Sequence, residues 1–361
     1  MKKRGNYNMG MPSVNVSFTE KATQVITRGE RGIVALILKD TVPAQNPITV
    51  LNVSDIPNTL TAANQTQIKL ALIGYQNAPK KVICYVLATA ATNYTDAFKY
   101  LETEKFDYLA IPTVEKDLQT TAVASWIKSM RANGKMCKSV LPNSTSDDPG
   151  IINHTTASIK STYGTFTAEG YCTRIAGLLA GTPLTISCTY APLSEVTDCT
   201  RLLKSEMDTA VNAGKFFVFY DGEKVKVARG VNSFQTTTES KGNQFKKVKI
   251  IDAMDLIFDD ITKTTQDSYI GKFSNSYDNK CLLMAAISGY FERLIIDGIL
   301  SAGTVEIDIA AQRAYLKATG VLTDDMTDQE IKVYDTGDKV FLRASITILD
   351  AIEEVELPIN I

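Results

Sequence analysis

Histidine is nearly absent from this chain, occurring once in 361 residues, at His154. One imidazole excludes a His-rich metal centre or an H-E-x-x-H helix and leaves a single candidate base. The six cysteines, Cys84, Cys137, Cys172, Cys188, Cys199 and Cys281, include no C-x-x-C pair, which argues against a zinc ribbon or a redox dithiol. Most sit in apolar runs such as VICYVL, so buried reduced thiols are expected rather than a disulfide framework. Phosphate loops are missing too. The pairs Gly134-Lys135 and Gly214-Lys215 have Ser129 and Thr209 where a P-loop needs glycine, and Met136 and Phe216 where it needs a hydroxyl for magnesium. No G-x-G-x-x-G opens a helix, and there is no G-x-S-x-G elbow. Nor is there an excess of either charge: 38 Lys and Arg face 40 Asp and Glu, a formal net charge of −2, so no broad positive field favours nucleic acid. The start, MKKRGNYNMG, has the bases of a signal peptide without its apolar core, and no run nears the ~20 apolar residues that cross a bilayer. The expectation is a protein made and kept in the cytosol, with no cofactor, no nucleic acid and no direct membrane insertion.

What is present is apolar material: 44% hydrophobic residues, with 15 Tyr and 13 Phe. At about 150 residues per domain this supports two or three cores. Near the start, Val14, Val16 and Phe18 alternate with Ser13, Asn15 and Ser17, a strand signal of period two. The continuous run Ile33 to Leu38 suits a strand buried on both faces. From Lys81 to about Ala228 strands and helices alternate: VICYVLAT, a helix from Tyr94 to Glu104, FDYLAIP, and a helix whose Val123, Trp126, Ile127 and Met130 share a face and which Gly134 stops. KMCKSVLP, GYCTRIAGLLAG and a helix through Leu203, Met207, Ala210 and Val211 continue the pattern, an open α/β layer architecture. In FFVFYDGEKVKVA, Asp221 and Gly222 are expected to supply the two positive-φ residues of a tight hairpin.

The polar stretch from Asn232 to Asn243 reads as a long loop or boundary. Beyond it come two long helices, one through Ile250, Met254, Ile257, Phe258 and Ile261, the other from about Asp278 to Ile299. These begin a second, α+β domain. KVFLRASITIL then places Val340, Leu342, Ala344, Ile346 and Ile348 on one face of a strand, and in EEVELPINI Val355, Leu357, Ile359 and Ile361 alternate with Glu354, Glu356, Pro358 and Asn360.

Candidate chemistry is sparse. His154 near Ser158 could serve a nucleophile, but no activated-serine context surrounds it, and a partly exposed loop histidine is expected. The acid pairs Asp147-Asp148, Asp259-Asp260, Asp324-Asp325 and Glu353-Glu354 lack calcium-loop spacing, and Asp252 and Asp255 fall mostly off their helix's apolar stripe; solvated surface charge is expected. Lys241, Lys246, Lys247 and Lys249 form a basic cluster, either a solvated helix start or a docking surface for an acidic partner.

The two ends carry the most information. A free strand presents unpaired amides and carbonyls that soluble proteins usually hide. Terminal strands more often fold back into their own sheet, and the other fate is β-augmentation, the addition of a strand to a neighbour's sheet. Residues 1–19 hold three bases and no acid, whereas residues 344–361 hold Asp350, Glu353, Glu354 and Glu356 and no base, so such ends attract one another.

Taken together, NMGMPSVNVSFTEKA, RGERGIVALILKD, APLSEVTDCTRLLKSEMDTAVNAGKFFVFYDGEKVKVARGVNSF, YIGKFSNSYDNK and VEIDIAAQRAYL resemble the contractile tail-sheath proteins of Gram-positive prophages and R-type tailocins. The resemblance runs over nearly the whole chain and is one of overall pattern. It implies an outer α/β domain over residues 21–235, possibly subdivided near residue 90, and a C-terminal α+β domain over residues 241–350 nearer the tube. Extended β-strand arms would occupy residues 1–20 and 351–361. It further implies an N-terminal arm built on Val14, Val16 and Phe18 and a C-terminal arm built on Val355, Leu357, Ile359 and Ile361. The receiving sheet would include Leu342, Ile346 and Ile348, and Lys246, Lys247 and Lys249 are candidates for the tube face. The partners implied are other copies of the chain, an inner tail tube protein, and baseplate and tail terminator proteins, within a phage tail or a released tailocin. Two other readings stay open at this point: a non-contractile filament or shell protein, and an α/β enzyme with a site around His154.

Overall fold

The computed structural model describes residues 25–360. The strand signal at Val14, Val16 and Phe18, and the final Ile361, lie outside the described residues.

The apolar run at the start of the body forms β1 (Ile33–Asp40), an interior strand of a seven-stranded sheet. Along the chain follow β2 (Ile48–Val50), α1 (Ala62–Leu72), β3 (Lys81–Ala88), α2 (Thr95–Leu101), β4 (Tyr108–Ala110), α3 (Thr120–Ala132), β5 (Lys138–Pro142) and β6 (Ile151–His154). After an excursion through β7 (Ile159–Ser161), β8 (Gly164–Phe166), α4 (Ala168–Ala180), β9 (Val196–Cys199) and α5 (Lys204–Asn212), β10 (Lys215–Phe216) completes the sheet in the order β10-β6-β5-β4-β1-β3-β2. All neighbours are parallel except the edge pair β2–β3. Period-two alternation along β1 divides its side chains between two cores. Val34, Leu36 and Leu38 pack with Ile68 of α1 and Tyr171, Ile175 and Leu178 of α4, while Ile33, Ala35 and Ile37 pack with Leu101 of α2 and Val123, Ile127 and Met130 of α3. Helices α1 and α4 approach so closely that a Cβ on Gly177 would stand 1.9 Å from the Ala71 carbonyl oxygen. Gly134, expected to stop α3, follows it at φ +83°.

Three local readings change. The hairpin β11 (Val218–Tyr220) to β12 (Val225–Val227) closes over four residues rather than two. Only Gly222 has positive φ, because the Asp221 carboxylate accepts from the amides of Glu223 and Lys224 and so makes the turn itself. The small sheet β8-β7-β9 lies in a stretch where only α4 is legible, since its strands are short and exposed on one side. And the polar stretch after Val231 begins inside the protein: Asn232, Ser233 and Phe234 are buried, with Asn232 reaching the Phe245 carbonyl and Val231 bridging to Lys247.

The remaining elements are α6 (Val248–Ser268), α7 (Tyr277–Ile296), β13 (Leu300–Ile307), α8 (Ile309–Ala318), α9 (Asp328–Val333) and β14 (Leu342–Ile348). A third core joins Leu256 and Ile257 of α6 to Ile287, Tyr290, Phe291 and Leu294 of α7, with Ile26, Leu184, Ile299 and Leu300. β13 and β14 form an antiparallel pair over it, a long hairpin with α8 and α9 in its connection, running from Ile307 opposite Leu342 to Ala302 opposite Thr347 and, after a register shift, to Leu300 opposite Ile348.

Candidate inter-subunit surface

Helix α6 shows the largest departure from the sequence reading. Asp252, Asp255 and Asp260, expected on its solvated side, are buried. Asp255 takes both guanidinium arms of Arg131, at 2.8 and 2.7 Å, and Lys138 Nζ at 2.6 Å. Asp252 takes Lys138 at 3.1 Å, the Tyr108 hydroxyl at 2.6 Å and the Arg31 guanidinium. Asp260 accepts from Gly29 N and from the Tyr290 hydroxyl, both at 2.7 Å. Tyr108 and Lys138 open β4 and β5 and Arg31 precedes β1, so α6 lies across the amino ends of the parallel strands. Three cations thus surround two carboxylates largely away from water, one positive charge in excess, and burial that would raise the Asp255 carboxyl is outweighed by Lys138 and Arg131, which hold it below its usual range. The C-terminal domain is thereby stitched to the sheet by ion pairs that no local pattern could reveal, because the partners come from positions 31, 131 and 138.

His154 is also inside. It ends β6, fully buried, with Nδ1 3.0 Å from the Ala168 carbonyl. A carbonyl only accepts, so the neutral ring carries its proton on Nδ1. Burial draws its pKa from 6.5 to about 4, against the pull of that hydrogen bond. Nε2 has no partner among the described residues and faces Tyr171 and Phe216, so the expected loop histidine is a core residue. Five of the six thiols are buried, Cys281 partly.

The hairpin β13–β14 is the candidate receiving sheet. Leu342, Ile346 and Ile348 pack down onto the third core, with Val305 beside them, while Ala344, on the same nominal face, is exposed. Its second strand, β13, escapes sequence reading because Ser301 and Gly303 break the apolar alternation; Gly303 is there because a Cβ would stand 2.9 Å from Phe291 Cβ. Among the described residues neither strand has a further neighbour, so both outer edges present unpaired amides and carbonyls.

After Leu349, whose amide bonds the Ile299 carbonyl at 2.9 Å, the chain leaves the hairpin. Lys249 donates to the Leu349 carbonyl and Lys247 pairs with Asp350. Glu353 then seats on the central domain, where Ser187 Oγ donates at 2.9 Å, Thr189 Oγ1 at 2.5 Å and Arg229 Nε at 3.0 Å; Arg229 also reaches Glu354 at 3.0 Å. Beyond this the chain to residue 360 joins no ladder, and Val355, Leu357 and Ile359 are 79%, 75% and 75% exposed. Of the acid pairs read as solvated, Asp147 is exposed and also accepts Gln235 N at 2.6 Å, while the half-buried Asp148 caps Gly150 N at 2.8 Å. Glu353 belongs to this seat, and only Asp324-Asp325 stays fully at the surface. Of the lysines considered for a tube face, Lys249 is buried and both it and Lys247 are engaged by their own chain's C-terminal segment. Lys246 makes no side-chain bond among the described residues and is half-buried.

A layered α/β body, an open-edged hairpin and an exposed C-terminal segment that joins no ladder are features of an assembly subunit. The comparisons agree. Residues 88–233 match the phage tail sheath protein central domain and residues 240–361 the phage tail sheath C-terminal domain. The tail sheath protein of Clostridium phage phiCD119 is 36% identical over 358 residues, 97% of this chain and 99% of that protein. The chain belongs to the phage tail sheath family, and it is a structural subunit rather than an enzyme. In fold it is similar to the helical sheath of the anti-feeding prophage in the contracted state, with a TM-score of 0.70 at 14% identity over 98% of this chain and 99% of that one. It is likewise similar to the sheath tail protein of Desulfitobacterium hafniense, with a TM-score of 0.69 at 19% identity over 82% of this chain and 94% of that one.

Proposed function

We propose that copies of this chain polymerise helically around an inner tail tube, each donating its C-terminal strand to a neighbour's β13–β14 hairpin, and that the resulting sheath contracts to drive the tube through a target cell envelope. The observation that carries this reading is the course of residues 349–360. Fastened to the central domain at Glu353, the segment joins no ladder of its own chain, yet its alternate side chains are apolar and exposed. A neighbour's open edge would supply the missing ladder, with pockets for Val355, Leu357, Ile359 and Ile361. Pro358 is compatible because a strand added at an edge needs no donor on its outer side. On this reading the segment with Val14, Val16 and Phe18 fills the other open edge of a neighbour, Leu342, Ile346 and Ile348 belong to the receiving strand, and Lys246, with Lys247 and Lys249, lies toward the tube. Baseplate and terminator proteins would engage the two ends of the polymer. No nucleotide-binding motif is encoded, so the motion draws on free energy stored in the assembled lattice.

The test is Leu357→Asp beside Asn360→Ser, co-expressed with the tube protein. A lone carboxylate in an apolar pocket costs several kcal/mol, against roughly 0.5 kcal/mol for a surface exchange. Folded Leu357→Asp subunits should therefore form no tubes by electron microscopy while Asn360→Ser subunits assemble. Normal tubes from Leu357→Asp would defeat the donated strand, and tubes of one unchanging diameter would favour a non-contractile filament.

A further inference from the structure

The C-terminal segment is divided between a strand that is free and a root that is not. Resting on the strand-donation reading above, we propose that residues 350–354 are a peelable tether: they lie clamped on their own central domain in one state of the sheath and release when neighbours move apart, so that the donated strand keeps its pairing.

Four features of the root support this. First, its contacts are side-chain contacts, and apart from the shielded Glu353 carboxylate the groups that make them lie at the edge of water. The Arg229 side chain is 32% exposed, that of Glu354 80%, and Lys247 and Asp350 are each more than a quarter exposed. Such pairs are screened and individually weak. A strand laddered into a neighbour's sheet with its apolar face buried is held far more firmly, so tension parts the root first.

Second, the seat remains satisfied when Glu353 leaves. Ser187 Oγ and Thr189 Oγ1 already lie 2.9 Å apart, Thr189 N donates to Ser187 Oγ at 3.1 Å, and Gly230 N donates to Thr189 Oγ1 at 3.0 Å. Arg229 and the departing carboxylates are rehydrated, and no orphaned buried charge remains to oppose opening. Clamped and open forms are therefore both stable, as a two-state element requires.

Third, peeling has a built-in stop. Lys249 is buried and bonded to the Leu349 carbonyl, and Leu349 N is bonded to Ile299; releasing that residue would strand a buried ammonium. Fourth, the length is useful. Five residues, 350–354, extend to about 17 Å at 3.3–3.6 Å each. Once the root is released, that is the greatest distance the segment can span, reached without unzipping any strand.

Glu353 reports the state directly, because its clamped side chain is only 9% exposed. Carbodiimide labelling of carboxylates in intact sheaths, read by mass spectrometry against the exposed Glu306, should rise several-fold at Glu353 from the extended to the contracted state. Arg229→Gln should raise the same labelling in the free, folded subunit. Equal labelling of Glu353 in both states overturns the tether. A complementary variant, Thr189→Cys with Glu353→Cys in a Cys281→Ser background, allows the root to be bridged by a short bis-alkylating reagent after assembly. Bridged sheaths should break into sections on contraction and unbridged ones stay whole; bridged sheaths that contract intact would also overturn it. A strand that was never donated fails differently, through normal tubes from Leu357→Asp, and so the two ideas are separable.

Discussion

At the scale of single residues, His154 shows how a count can be read correctly and a role misplaced. The sequence shows that there is one histidine, and INHTTAS has no sign of its burial, because the Ala168 carbonyl that receives Nδ1 comes from the start of a helix 14 residues away. Its depressed pKa has a consequence for stability. In the unfolded chain the ring protonates below 6.5; in the folded one it stays neutral down to about 4. The unfolded state therefore binds more protons across that window, and stability is full above pH 6.5 and falls as the pH drops toward 4, by on the order of 3 kcal/mol. His154→Asn, which retains a donor for Ala168, should flatten that slope. Urea midpoints of the subunit measured from pH 7 to pH 4 give the answer, and an unchanged slope in the variant would place the titration elsewhere.

Among elements, those built on short-range periodicity were legible and those built on pairing at a distance were not. β1, β3, α3, α4 and α7 follow from runs and stripes within their own sequence. The strand β13 does not, since its Gly303 answers to Phe291 on α7 rather than to alternation. α6 was legible as a helix but not as a seam: its acidic residues looked solvated because their cations lie far off in sequence. The arithmetic of that seam separates two substitutions. Asp255→Asn leaves Arg131 and Lys138 buried with one carboxylate among three cations, and should cost about 3 to 5 kcal/mol. Lys138→Met leaves Asp252 with Arg31 and Asp255 with Arg131, one to one, with a side chain of similar length, and should cost much less, about 1 to 2 kcal/mol. Denaturant unfolding of the two variants at neutral pH tests the order; equal losses would mean that Lys138 is the keystone instead. Acid acts in the same direction as Asp255→Asn, because a carboxyl held below its usual range contributes stability above the ordinary carboxylate pKa and loses it as pH falls through the lower, folded value.

For the whole molecule, the layered α/β body and the α+β C-terminal part could be read from the chain, whereas the point at which the alternating apolar segment at its end begins its free course depended on Glu353 finding Ser187, Thr189 and Arg229. All three cores are complete without residues 350–360. A chain ending at Leu349 should accordingly keep a cooperative thermal transition and remain monomeric at concentrations where the full chain polymerises, as scanning calorimetry and analytical ultracentrifugation would show. Loss of cooperativity would make the segment part of the fold. The placement of α6 has a further consequence. The amino ends of the parallel strands are taken up by the C-terminal domain, so the carboxyl ends of β5 and β6 stay open around an unfilled hollow of about 710 Å³ bordered by Asn143, Asn153, Ser205 and Lys215, with the Gly222 turn elsewhere equally unencumbered. Loops there answer to neither the seam nor the hairpin. This pole is the permissive side of the fold, where an inserted sequence is expected to leave both the seam and the hairpin undisturbed.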